Sequence, residues 1–263
     1  MAIRDYALAS ERLVEWMQDR AREAGARGGV FGVSGGIDSA LVLALSRKAY
    51  GDNCLALIMP CYSLQEDVDD ALELVRLFGC PYKVVDLCPA FDALLSSLSS
   101  GGGEGIPGGA GKEPDAGMAP DASAISLAEA NIKPRLRMTA LYYYANLLNY
   151  LVVGTSNRAE LYVGYSTKYG DSGVDIMPLG GLTKGEVREM AAYLGVPKKI
   201  IEKAPSAGLW KGQTDEGEMG ITYRDLDRYL LGLPVPDDVR EKIERRHRNS
   251  EHKRRMPPVP DVI

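Results

Sequence analysis

The sequence predicts an α/β protein: a three-layer sandwich built on a parallel, doubly wound sheet of about five strands. Three observations predict it. Short apolar runs alternate along the chain with longer stretches of helical spacing, which is the pattern of β-α-β units. The apolar runs carry no alternating polar residues, so the sheet is covered on both faces. The chain has 263 residues, 45% hydrophobic and 25% charged, enough for one large core.

Taken in order, residues 2–26 have amphipathic helical spacing, and "GGVFGVS" is too short for a helix and rich in strand formers. Helical spacing returns over residues 37–50. "CLALIMP" is a second strand closed by Pro60, and "EDVDDALELVRLFG" a helix with acids in its first turn and Gly79 at its end. "YKVVDL" is a third strand and "PAFDALLSSL" a short helix. A long helix is expected from Asn131 to Asn149, with Pro134 tolerated in its first turn. "YLVVGTS" is the fourth strand. Thr183 and Glu186 have capping-box spacing ahead of a helix that ends at Gly195. "TYRDLDRYLLG" and "PDDVREKIERRHRNSEHKRR" are further helices, so residues 234–263 read as a basic C-terminal helix and tail. The glycine-rich stretch 99–123 cannot pack a core; it is either a flexible surface loop or a lid over a site.

Several function classes are excluded by composition. A net charge of −5 argues against bulk nucleic-acid binding. No apolar run approaches the ~20 residues of a membrane span, and the N-terminus lacks the apolar core of a signal peptide. Cys54, Cys61, Cys80 and Cys88 form no pair of the C-x-x-C kind, and with His247 and His252 as the only histidines a zinc site is not expected. The cysteines read as reduced thiols of a cytoplasmic protein.

The chemistry concentrates in "FGVSGGIDSA", Phe31 to Ala40. Gly35 and Gly36 let backbone approach a ligand closely, and the N–H groups of Ile37, Asp38 and Ser39 begin a helix, which favours an anion. There is no lysine of the common nucleotide loop; Asp38 is there instead. Two like charges ~4 Å apart cost about 4 kcal/mol at a surface-like dielectric. Asp38 beside a phosphate therefore makes sense as a ligand of a hard divalent cation, Mg²⁺, that lies between them. The plain alternative is that Asp38 caps its own helix.

"SGGIDS" resembles the phosphate loop of the ATP pyrophosphatase superfamily, which cuts ATP between its α and β phosphates. Together with "NIKPRLRM", "GTSNRAELYVGYSTKYGDSGVDIMPLGGLTKGEVR", "APSAGLWKGQTDEGEMGITYRDLD" and "EHKRRMPP", it resembles the ammonia-dependent NAD synthetases over nearly the whole chain outside residues 99–123. That resemblance implies an adenine nucleotide α-hydrolase-like fold, one domain over residues 1–263, and amidation of nicotinic acid adenine dinucleotide (deamido-NAD) with ammonia. ATP is the co-substrate and an acyl-adenylate the intermediate. It implies Mg²⁺ on Asp38 and Glu160; ATP on Gly32, Val33, Ser34, Gly35, Gly36, Ile37, Asp38, Ser39, Thr155, Lys184 and Ser206; and the dinucleotide on Arg135, Lys168, Asp175, His252 and Lys253. Asp38, Lys184 and Asp175 are the catalytic candidates, Asp175 as a base that takes a proton from ammonium.

Each has a plainer reading. Glu160 is then a solvated helix acid, Lys168 and Asp175 a weak surface pair, and His252–Lys253 part of a solvated basic run. Lys184 sits one residue inside a helix start, where a cation is unfavourable unless an anion is near.

Residue 1 is Met, so no N-terminal cysteine nucleophile is expected, and ammonia comes from solution or a separate glutaminase subunit. Tyr142, Tyr143 and Tyr144 are successive helix positions about 100° apart, so they cannot all face one core. The resemblance implies a homodimer through helix 131–149. Two rivals remain: an RNA-thiolating member of the superfamily, suggested by the basic tail, and a nucleotide sensor without catalysis.

Overall fold

The first expected helix, residues 2–26, is shorter, and a capping residue sets its start. In the computed structural model, which describes residues 5–100, 122–206 and 214–260, the Asp5 carboxylate accepts the Leu8 N–H at 2.9 Å and opens α1 (Tyr6–Glu23). Then follow β1 (Gly28–Gly32), α2 (Ile37–Tyr50), β2 (Cys54–Ile58), α3 (Gln65–Leu77), β3 (Tyr82–Val84) and α4 (Cys88–Ser100). The second half holds α5 (Ala122–Ala130), α6 (Ile132–Leu148), β4 (Tyr150–Val152), α7 (Arg158–Val163), α8 (Lys184–Tyr193), α9 (Lys198–Glu202), α10 (Asp215–Met219), α11 (Tyr223–Leu230) and α12 (Asp237–Asn249). Residues 101–121, most of the expected glycine-rich loop, lie outside the described residues, while its ends belong to α4 and α5.

Four parallel strands, not five, form the sheet among the described residues, in the order β3-β2-β1-β4. Beyond β4 the pairing continues as one isolated bridge, Val153 to Ile176. The reason is local. The Asp175 carboxylate takes the outward N–H of Val152 at 2.7 Å, the place where a neighbouring strand's carbonyl would bind. A side chain there ends the ladder.

Side-chain alternation divides the strands between two apolar layers. Cys54, Ala56 and Ile58 pack with α1, α2, α3 and α8, while Leu55, Leu57 and Met59 pack with α4 and α6. These are the two outer layers of the sandwich. A third, smaller core of Ala159, Val163, Met219, Ile221, Tyr223, Leu226 and Ile243 joins α7, α10, α11 and α12.

Pro134 explains the break between α5 and α6. It has no N–H to give the carbonyl of Ala130, four residues back, and α5 ends at that residue. The expected C-terminal helix 236–255 stops early, at Asn249. There the Ser250 hydroxyl donates to the Arg246 carbonyl at 2.7 Å, and a 3-10 turn, Glu251–Lys253, follows. Of the three tyrosines, Tyr142 bonds Asp175, Tyr144 lies under the Lys83 ammonium at 5.7 Å, and Tyr143 is 63% exposed. Among the described residues no helix is long and apolar enough to cross a membrane.

The strand order has one consequence for function. The chain winds from β1 outward to β3, then returns to place β4 on the other side of β1. A crevice therefore opens between the carboxyl ends of β1 and β4, the place where ligands bind in open parallel sheets.

The two loop glycines at that crevice do different work. Gly35 has φ +81°, and a Cβ there would lie 2.5 Å from the Asp67 carbonyl oxygen of α3. Gly36 has φ −92°, and its Cβ would meet only Ser34 Oγ, at 3.4 Å. Gly35 thus serves packing, and Gly36 is the open one. Gly35→Ala should lower stability by about 2 kcal/mol or more, a fall of several degrees in Tm by calorimetry; Gly36→Ala should leave Tm within about a degree.

Candidate active site

The phosphate loop is held by its own serines. Ser39 Oγ donates to the Gly36 carbonyl at 2.9 Å and accepts from Ser34 N at 3.2 Å. The turn delivers Ile37, Asp38 and Ser39 as the first turn of α2, whose N–H groups have no carbonyl four residues back to bind. Gly36 caps this helix without a side chain. Asp38 does not cap it either; its carboxylate points away toward β4 and α8.

There it meets two groups from distant parts of the chain. Asp38 Oδ2 accepts from the Lys184 ammonium, and Oδ1 accepts from Asn157 Nδ2 at 3.0 Å. Glu160 completes the cluster: its Oε1 accepts from the same Asn157 amide at 2.7 Å and lies 3.4 Å from Lys184 Nζ. Lys184 is 1% exposed. Burial would push its pKa down, yet the charges of Asp38 and then Glu160 outweigh that and raise it. Glu160 is pushed up to about 7, first by burial and then by Asp38.

Local sequence explains each placement. Thr183 and Glu186 make the expected capping box, which fixes Lys184 as the first residue of α8. The Asp227 carboxylate accepts the Lys184 and Gly185 N–H groups at 3.0 and 2.7 Å, adding a negative charge that favours a helix N-terminus. Asn157 and Glu160 make a second capping box at the start of α7, directly beyond the end of β4. The spacing N-x-x-E was visible in "SNRAE" and would have found both α7 and Asn157.

Two further residues had no readable signal. Tyr223, 1% exposed, places its hydroxyl 3.1 Å from Glu160 Oε1 and 2.9 Å from Asp215 Oδ2. Its ring centre lies 4.7 Å from Lys184 Nζ, a cation–π contact. Asp215 is buried, which raises its pKa, and it also accepts from the Tyr165 hydroxyl at 3.1 Å. Nothing in the spacing of this block marks either residue, and only the fold brings them to Glu160 and Lys184.

The donor set suits a magnesium ion. Asp38 and Glu160 converge on one ammonium, a point that a divalent cation bound to both would contest. No cluster of three or more His, Cys, Asp or Glu side chains is arranged for a metal among the described residues. Magnesium needs only one or two carboxylates, with phosphate oxygens and water filling its shell.

The remaining candidates sit around this centre or apart from it. Gly32 ends β1 and Val33 N donates to Leu57 O at 2.9 Å. Thr155, half-exposed, lies between β4 and α7, and Ser206 is exposed. Arg135, on α6, reaches the Lys168 carbonyl at 3.4 Å, and the Lys168 ammonium lies 5.2 Å from the Tyr169 ring centre. Lys168 and Asp175 form no ion pair among the described residues. Asp175 instead has both oxygens engaged, one by Val152 N and one by the Tyr142 hydroxyl at 2.9 Å. His252 is exposed, but Lys253 is not part of a solvated run: it donates to the carbonyls of Gly164 and Ser166 at 2.8 and 2.5 Å.

A parallel sheet with a phosphate-type loop at its switch point, and an Asp–Lys–Glu cluster facing that loop, defines the class: an α/β enzyme that works on a nucleoside triphosphate. The chain belongs to the NAD synthase family, whose sequence profile matches residues 9–257. It is 51% identical to the NH(3)-dependent NAD(+) synthetase of Carboxydothermus hydrogenoformans, over 95% of this chain and 96% of that protein. Among solved structures it is similar to NMN synthetase from Francisella tularensis, with a TM-score of 0.86 at 39% identity over 98% and 99% of the two chains. It is also similar to the NH3-dependent NAD synthetase of Campylobacter jejuni, solved with nitrate, with a TM-score of 0.74 at 29% identity over 99% and 100%.

The cluster makes a prediction about stability. Glu160 stays protonated in the fold up to about pH 7 but ionises near its ordinary 4.5 when unfolded. Its titration therefore favours the fold below pH 4.5, and that contribution is lost as pH rises through 7. Lys184 is the cation that limits this loss. Lys184→Met should cost about 3 kcal/mol at pH 8, where the carboxylates are left charged without a partner, and clearly less at pH 5; urea unfolding at the two pH values measures the difference.

Proposed function

We propose that this protein converts deamido-NAD to NAD, using ATP and ammonia and releasing AMP and pyrophosphate. The observation that carries this reading is the convergence of Asp38, Glu160 and Lys184 beside the free N–H groups that open α2, in a chain of the NAD synthase family.

The chemistry needs these parts. A carboxylate is a poor electrophile, so the nicotinate carboxylate must first attack the α-phosphorus of ATP to give an acyl-adenylate. Pyrophosphate leaves in that step, and ammonia then displaces AMP. Catalysis of the first step is mostly positioning and charge stabilisation around the leaving group. The N–H groups of Ile37, Asp38 and Ser39 are donors for the phosphates. Asp38 and Glu160 would hold Mg²⁺, which neutralises charge on the departing pyrophosphate. Lys184, at the same point, would offer its ammonium to phosphate oxygens. Asn157, bonded to both carboxylates, keeps the pair aimed at one point.

Arg135, Lys168 and Lys253 would supply positive charge, and His252 a ring nitrogen, for the dinucleotide's diphosphate and carboxylate, as a chain of net charge −5 requires of a local site. Asp175 is assigned to the ammonia step, where its charge attracts ammonium. Ammonia comes from solution or from a separate glutaminase. Four free cysteines fit work in the reducing cytoplasm.

The likeness to an NMN synthetase favours a second reading, in which nicotinic acid mononucleotide is the acceptor. Pure protein, ATP, ammonia and Mg²⁺ with each acceptor in turn discriminate the two. The larger kcat/KM is expected for deamido-NAD, with one pyrophosphate per amide; a larger value for the mononucleotide gives the second reading, and no amide with either refutes both. Chelation with EDTA should abolish turnover. Lys184→Met and Lys168→Ala should each lower kcat/KM by at least ~100-fold, about 2.7 kcal/mol.

Two copies are proposed to pair through α6. Tyr143 and Leu147, one helical turn apart, are each 63% exposed, an apolar pair that a second copy would cover. Tyr143→Asp should shift the sedimenting species from dimer to monomer at micromolar concentration.

A further inference from the structure

Two buried thiols lie at the sheet edge opposite the nucleotide loop. Cys54 opens β2 and Cys80 lies two residues before the start of β3. These strands are parallel, with Ala56 opposite Tyr82. Running the register back by a pair of residues sets Cys54 opposite Cys80. Neighbouring strands lie about 4.8 Å apart, within the ~4.4–6.8 Å between Cα atoms that a disulfide accepts. The two side chains point to the same face and pack in the same apolar layer. Their sulfurs are 3.4 Å apart, and the residues are 1% and 4% exposed.

The surroundings favour one thiol as the attacking group. A hydrogen bond from Cys80 lowers the pKa of Cys54; burial opposes this, and the charge of Arg47 adds to it. Arg47 is held beside the site by Asp52 at 2.7 Å. Opposing the thiolate is the Gly51 carbonyl, to which the Cys54 thiol donates at 3.1 Å. The turn Gly51–Asn53 next to Cys54 is exposed at every residue, so a small local opening admits a small oxidant. The other two cysteines are arranged differently. Cys88 Sγ accepts from Tyr62 N at 3.3 Å, and Cys61 packs in the opposite apolar layer.

We propose that Cys54 and Cys80 are a redox modification site, which a hydroperoxide converts to a reversible disulfide. The Cys54 thiolate attacks one peroxide oxygen, breaking the O–O bond, becoming a sulfenic acid and expelling hydroxide or alkoxide. The Cys80 sulfur then attacks the sulfenic sulfur. The S–S bond forms, the S–O bond breaks and water leaves with the thiol proton. Two thiols lose two electrons in all, and hydrogen peroxide is reduced to two waters. A dithiol reductant reverses the bond by exchange.

The bond would close a loop across 26 positions that contains α3. That helix places the Asp67 carbonyl against Gly35 and ties Asp67 and Asp70 to Lys203 at 2.7 and 2.6 Å. Closing a loop of this length restricts the unfolded chain and stabilises the fold. The same element that supports the phosphate loop is thus stapled under oxidation.

The test uses the whole protein treated with hydrogen peroxide, then unfolded, alkylated with iodoacetamide and mapped by mass spectrometry. Before alkylation the expected product is about 2 Da lighter than the reduced chain; after it, Cys61 and Cys88 are alkylated and one peptide pair is linked, Cys54 to Cys80. The Tm of the oxidised protein should rise by about 5 °C or more and return with dithiothreitol. Cys54→Ser and Cys80→Ser should each abolish the link, and the double variant Cys61→Ser with Cys88→Ser should keep it. Four alkylated thiols after peroxide, a link between other cysteines, or Cys54 taken to sulfinic acid with Cys80 still free would each overturn the proposal. The mapping is done on the natural chain, so it decides the matter even where a serine variant folds poorly.

Discussion

One buried ammonium holds the site together. Lys184 sits between Asp38 and Glu160, which come from α2 and α7, while Lys184 itself opens α8. Two carboxylates this close repel each other, and burial with the Asp38 charge pushes Glu160 toward its neutral form. The lysine makes their approach possible, and Asn157 fixes their geometry by donating to both. The Tyr223 ring beneath the ammonium and its hydroxyl on Glu160 link this pair to the smaller core of α10, α11 and α12. A buried ion pair is not a cheap way to hold a fold. Its retention where a nucleotide loop opens makes sense if the carboxylates and the ammonium have other partners during turnover.

The sheet decides where this happens. With strand order β3-β2-β1-β4, the turns after β1 and β4 face each other across the crevice. Asp38 follows β1 and Glu160 follows β4, so residues more than a hundred positions apart arrive at one point. The loop itself is shaped from behind. Gly35 lets α3 pack its Asp67 carbonyl close against the turn, which leaves Gly36 and the first N–H groups of α2 facing the crevice.

Much of this was legible residue by residue. A carboxylate among the first N–H groups of a helix is an anomaly that calls for a cation; Asp38 read as a ligand of Mg²⁺, and the cation the fold itself sets on it is the Lys184 ammonium. A lysine at a helix start is another, and Lys184 proved to have three carboxylates within reach of its ammonium or its N–H. The short helices α7, α9 and α10 escaped because five or six residues carry too little periodicity to stand out. Asn157 escaped although its capping-box spacing was present. Asp175 shows the opposite case. It was singled out for the ammonia step, and in the fold its carboxylate also closes the free edge of β4, which is why the sheet has four strands among the described residues. The plainer reading of the basic tail was a solvated run, yet Lys253 and Arg254 donate to backbone carbonyls of the loop and helix beside it.

The sequence by itself determined the local elements, the two apolar faces of the strands, and the chemistry of the loop, because propensity, periodicity and capping act within a few residues. Only the tertiary structure decided which distant groups share the crevice, which glycine serves packing, and which tyrosine and aspartate stand behind Glu160. Those outcomes depend on strand order and on burial, and both are properties of the whole packed chain: a single segment cannot say which neighbour will exclude water from its charge.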